Sequence, residues 1–347
     1  MGRSMSFGFQ RTVAVLALAV GLVGCGPAGT GSIEPAASKA ASSATADTTF
    51  SPSTAPTPAG ATPVVAPDMT PEPALTTVWE GAGPAKARPW IWTPAVDPGG
   101  RIWAASSFDD VFWIFDPNGE YIESWGEPGN GDGEFLFAAE GNGYGAIAFR
   151  SDGGFYVADT GNSRVQQFDN DRKFIGTWGS FGTEDGQFTY PHGIETDDAG
   201  NVYVFDDGRR DIQQFDAEGT YVRTVAEAVG PYMGVAADGS VVAFDEASHS
   251  LVRYEPDGDR TLAVDLRKVA SFVTDIAVRP SGGFLVASST GGGSDVDYEH
   301  LIELDRDGTL LHVWPNGAEG IALAPSDDTL YLTFSDRTPV VRAVALP

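Results

Sequence analysis

The sequence predicts an all-β domain built from six tandem copies of one antiparallel unit. A direct repeat carries this first. Phe155-Tyr-Val-Ala-Asp159, Thr160-Gly-Asn-Ser-Arg164, Val165-Gln-Gln-Phe-Asp169 and Phe174-Ile-Gly-Thr-Trp-Gly179 are followed by Val202-Tyr-Val-Phe-Asp206, a loop through Arg210, Ile212-Gln-Gln-Phe-Asp216 and Tyr221-Val-Arg-Thr-Val225. Each copy strings β-formers between Gly, Asn and Asp turns, the pattern of consecutive hairpins. Fainter copies of the second strand stand at Ile102–Ser106, Val241–Asp245, Phe284–Ser288 and Leu330–Phe334, which brings the count to six. The composition agrees: 42% hydrophobic residues supply a large core, and 43 Gly and 23 Pro supply many turns.

The first 24 residues read as an export signal. Arg3 and Arg11 precede an apolar run from Val13 to Val23, too short to span a bilayer. Leu22-Val-Gly-Cys25 resembles the lipobox of bacterial lipoproteins, which implies diacylglyceryl transfer to Cys25 and cleavage before it. More than one acyl chain is what stable anchoring needs. From Cys25 to Ala74 a linker is expected: of the 49 residues after the cysteine, all but ten are Ala, Pro, Ser, Thr or Gly, a composition that cannot bury enough apolar surface to order itself. The folded domain is expected over residues 75–347.

Within the repeat, Gly186-Gln-Phe188, Pro191-His-Gly-Ile194 and the run from Asp159 to Gln167 resemble the NHL repeat family. The resemblance implies a six-bladed β-propeller of four-stranded antiparallel blades, each packed on its neighbours so that few edges remain. The last copy supplies only three strands, around Ile321, Leu330–Phe334 and Val340–Val344. Its missing outer strand is Leu75-Thr-Thr-Val-Trp79-Glu-Gly81, which matches Tyr121–Gly126 and Phe174–Gly179, so the N-terminal strand is expected to close the ring. Trp79, Trp125, Trp178 and Trp314 fall at equivalent outer-strand places and are assigned to packing between blades.

Charge and residue inventory exclude several functions. Beyond residue 77 the chain carries 18 Lys and Arg against 44 Asp and Glu, a net −26 that repels nucleic acid and anionic headgroups. Cys25 is the single cysteine, so neither an intrachain disulfide nor a Cys-rich zinc site is possible, and the RING spacing of animal NHL ubiquitin ligases is missing. Asn130, Asp132 and Glu134 resemble a calcium loop, but Gly179–Phe188 repeats the segment, which assigns it to blade connection. Some related propeller enzymes hold axial zinc on several histidines. Here the places matching His192 are Trp92, Gly145, Met233, Thr274 and Glu319, and one histidine does not build that site.

What is left is a binding surface. Propellers bind where the axial channel opens among loops, and the residues projected to that mouth are Tyr144, His192, Tyr232 and Glu319, flanked by Asp159, Arg164, Asp206 and Arg210. The expected function is a membrane-anchored, extracytoplasmic binding or scaffold module, monomeric and without cofactor, that presents this face to a protein, peptide or glycan. Its membrane contact is through the lipid alone. The alternative is a metal-dependent lyase or lactonase-like hydrolase in the axial pocket.

Overall fold

A computed structural model describes residues 64–65, 72–84, 91–137, 144–290, 297–315, 317–334 and 340–347. Cys25 and most of the expected linker lie outside the described residues. The described chain forms six four-stranded antiparallel blades. Blade I comprises Ile91–Val96, Ile102–Ser106, Val111–Phe115 and Tyr121–Trp125; blade II comprises Ala146–Phe149, Phe155–Asp159, Arg164–Phe168 and Phe174–Trp178. Blade III runs through Pro191–Thr196, Val202–Asp206, Asp211–Phe215 and Tyr221–Glu227, and blade IV through Met233–Val235, Val241–Asp245, Ser250–Tyr254 and Arg260–Asp265. Phe272–Val278, Phe284–Thr290, Asp297–Leu304 and Leu310–Trp314 make blade V. Blade VI joins Gly320–Leu323, Thr329–Phe334 and Val340–Ala345 to Thr77–Ala82, so the ring closes with the N-terminal strand as its last outer strand.

Six buried apolar clusters each span a pair of neighbouring blades, and the sixth joins blade VI to blade I through Tyr331, Val341, Ala343, Ile102, Trp113 and Phe115. This is the packing that a two-faced sheet requires: the second strands of blades I and II are buried on both faces, while their outer strands are half-buried to exposed. The outer-strand tryptophans act as expected. Trp79 meets Tyr331 at 5.8 Å, donates from Nε1 to Pro117 O of blade I, and lies where a Cβ on Gly119 would stand. Trp178 sits in the same way over Gly219 of blade III.

Two pieces of the expected linker lie against the domain. Val64–Val65 pairs in parallel with Val264–Asp265 at the outer edge of blade IV, and Glu72 N donates to Val313 O.

Candidate functional site

The inner strands surround an axial channel with a cavity volume of about 300 Å³. Pairing register fixes which side chains share a level. His192 sits at a bulge between Pro191, opposite Asp206, and Gly193, opposite Phe205. Thr274 occupies the corresponding bulge of blade V, and Glu319 and Gly145 precede the matching paired residues Gly320 and Ala146. In blade IV the register brings Pro231 to this place, and Met233 pairs two residues further along the strand; a short, three-residue inner strand hid that offset in the sequence.

At this level aromatic rings narrow the mouth. Trp92 meets Tyr144 edge-on at 4.5 Å, Tyr144 lies over His192 at 3.9 Å, and His192 faces Tyr232 at 6.4 Å. Threonine hydroxyls tie neighbouring inner strands together here: Thr160 donates to Tyr144 O and to Pro191 O, Thr93 to Gly145 O, and Thr274 to Ala318 O. His192 is 6% exposed and its Nδ1 is buried without a hydrogen-bond partner. Burial pulls its pKa down to about 3, so the imidazole is neutral.

Below the mouth lie two carboxyl groups. Asp275 accepts from Ile276 N (2.8 Å) and Ile321 N (2.9 Å), yet burial pushes its pKa up to about 7. Glu195 faces open channel space, but protein encircles that space, and this enclosure together with nearby Asp275 pushes its pKa up to about 8. Burial raises the tyrosine pKa values as well, and Asp207 and Glu319 add to the rise for both Tyr144 and Tyr232. Among the described residues no Lys or Arg lines the channel.

The structure places Tyr144, His192, Tyr232 and Glu319 in the lining of the channel. The flanking set is corrected. Asp159 is fully buried and accepts from Leu136 N, Asn162 Nδ2, Arg164 Nε and Gln166 Nε2. Arg164 also donates to Gly131 O and Glu134 O. Both side chains point into the connection from the preceding blade and are saturated there. Asp206 is likewise buried, holding Thr189, Tyr190, Gly208 and Arg209. Of the four, Arg210 is at the surface, in a left-handed loop position (φ 59°) and paired with Glu246 at 2.7 Å. Glu134 Oε2 caps Asn130 N and Gly131 N, so this carboxylate serves the turn. Sequence reasoning missed Glu195, Asp207 and Asp275 and left Trp92 out of the mouth. An acid where the other inner strands carry Ala or Gly is the signal that marks Glu195.

The NHL repeat family matches residues 146–168, which span the inner, second and third strands of blade II. No curated protein matches the sequence. Among solved structures, a gluconolactonase from Xanthomonas campestris is 14% identical, covering 82% of this chain and 98% of its own, with a TM-score of 0.56. A streptogramin B lyase is 11% identical, covering 77% of this chain and 98% of its own, with a TM-score of 0.52. At such identities the likeness is one of fold.

Proposed function

We propose that this six-bladed β-propeller with its NHL repeat is an extracytoplasmic binding module, monomeric and lipid-anchored through Cys25, that receives part of a protein, peptide or glycan at the axial mouth. One observation carries the reading: Trp92, Tyr144 and Tyr232 gather around a neutral, buried His192 whose Nδ1 has no partner, at the opening of the channel. Aromatic area with polar tips in a concave setting is the chemistry of binding hot spots. Second strands wholly buried between neighbouring blades, as in blades II and III, support a rigid frame in which this mouth is preformed.

The test uses the immobilised domain and envelope extract of the host. The combined His192→Ala and Tyr232→Ala change is expected to weaken capture roughly tenfold or more, about 1.4 kcal/mol. Unchanged capture, lost instead on Arg223→Ala at an outer strand, moves the interaction to the rim. For the anchor, Cys25→Ala is expected to abolish acyl labelling, and labelling that persists contradicts it.

The lyase or lactonase-like alternative has the two structural neighbours on its side for fold alone. Among the described residues no three His, Cys, Asp or Glu side chains are grouped to hold an ion, so no observation favours this reading over the first.

A further inference from the structure

Six residues, one from each inner strand, share the level of Glu195, because each pairs at the same register place of its blade's second strand, the second residue in blades I to V and the third in blade VI. Glu195 is opposite Tyr203, Ala95 opposite Trp103, Ala148 opposite Tyr156, Gly234 opposite Val242, Ala277 opposite Leu285 and Ala322 opposite Tyr331. Five blades thus carry Ala or Gly where the sixth carries a carboxylic acid. All six line the channel, and Glu195 is the one titratable side chain among them. Three residues of strand separate this level from His192, roughly 10 Å.

A group that enters meets the aromatic faces of Trp92, Tyr144 and Tyr232, then the ring of His192, whose buried Nδ1 has no partner, then Asp275 and Glu195. Aromatic faces attract cations, most strongly where water is excluded. A neutral imidazole offers an acceptor nitrogen, and the carboxyl groups offer more. The aromatic faces and the two carboxyl groups on this path suit a donor-rich cation, and among the described residues no Lys or Arg competes for it. The raised pKa values of Glu195 and Asp275 have burial as their common origin, and Asp275 adds to the rise of Glu195. A resident cation would relieve it.

We propose that the channel takes a primary ammonium group on a slender, unbranched stem, seated between the aromatic mouth and Glu195. The ammonium belongs either to a free amine or to a lysine side chain of a partner, and the assignment rests on the axial mouth being the binding site. The Ala and Gly residues at the Glu195 level are apolar, which suits a stem of methylenes.

Calorimetry on the full chain tests this with n-pentylamine, 1-pentanol and pentanoate. The amine is expected to bind one to one, and the neutral and anionic analogues at least roughly tenfold more weakly, a difference of about 1.4 kcal/mol. Glu195→Gln keeps shape and removes the charge; it is expected to weaken the amine by a similar factor while the protein melts no lower than wild type. Displacement of the amine by a lysine peptide, and not by its acetyl-lysine form, assigns the source to a partner; displacement by free amines alone assigns it to a small molecule. If pentanol or pentanoate binds as tightly as the amine, and the His192→Ala, Tyr232→Ala protein loses all three, the axial site stands and the cation assignment falls. Binding of none of the probes overturns the assignment, and the capture experiment then decides the site by itself.

Discussion

At the scale of residues, the repeat motif and the channel mouth divide the labour. The Asp159–Asn162–Arg164–Gln166 set has its polar atoms spent on the connection between blades I and II: Gln166 donates to Glu134 O and accepts from Gly133 N, and Asn162 donates to Gly129 O. Blade III keeps the clamp while exchanging its parts. Arg209 pairs with Asp211 through 2.7 Å and 3.0 Å contacts and reaches Glu184 O, so the guanidinium moves from the third strand to the loop. Because Asp159 is fully buried and the Arg164 side chain is 14% exposed, Asp159→Ala strands a buried cation. Breaking such a pair costs about 3–5 kcal/mol, and urea unfolding is expected to register a loss of that order. Capture at the mouth is expected to persist under conditions where the variant is folded. A variant that keeps full stability and loses capture would return Asp159 to the binding face. The type of residue at 159 and its place on a face loop were legible in the sequence. Its direction was not, because it depends on Leu136, 23 residues earlier, and on a connection whose path only the assembled ring determines.

At the scale of elements, what the sequence made readable is the periodic part. Six second strands, the outer-strand tryptophans and the closing strand all occur where the repeat places them, since alternation and turn chemistry are local. The inner strands were harder. They are short, rich in Gly and Ala, and interrupted by bulges at Thr93, His192 and Thr274, so their register drifts in the weaker blades. That drift is why Met233 was placed at the His192 level and why Glu195 passed unnoticed. The closing strand carries the element-scale prediction. Thr77–Ala82 pairs with Val340–Val344, Glu80 holds Arg342 at 2.6 Å, and Trp79 bridges to blade I. A chain beginning at residue 82 loses these contacts and bares the edge of Val340–Ala345. It is expected to lose several kcal/mol, about what removal of a large packed aromatic costs by itself, and to associate through the open edge. Equal melting of the truncated and longer chains would show that the ring is held without this strand.

At the scale of the whole molecule, charge and enclosure act on stability in one direction. The folded part is strongly acidic, so self-repulsion grows as pH rises. The channel adds a linkage with a definite sign. Glu195 (about 8) and Asp275 (about 7) lie above the ordinary carboxyl range, so the native state holds protons that the unfolded chain releases near pH 4. Their contribution is complete below about pH 4 and is lost as pH rises through about 7 to 8. His192, lowered to about 3, works oppositely, and its contribution is present above about 6.5 and lost as pH falls toward 3. Between about pH 4.5 and 6.5 two acids therefore oppose one imidazole, and above 6.5 the acids act alone. The carboxyl groups that local hydrogen bonds lower, Asp265 at about 2 among them, titrate below this window. Denaturant unfolding across pH 5 to 8 is thus expected to give stability that declines with pH. Glu195→Gln leaves one acid against one imidazole and is expected to flatten the curve between pH 4.5 and 6.5 and to raise stability at pH 8. Salt separates the two sources. About 0.5 M salt screens repulsion between surface charges, and the enclosed carboxyl groups are screened far less, so the difference between wild type and Glu195→Gln is expected to persist while the shared slope shrinks. A wild-type curve that rises from pH 5 to 8, or a Glu195→Gln curve that parallels it, would mean that the Glu195 carboxyl titrates in the channel as it does in water.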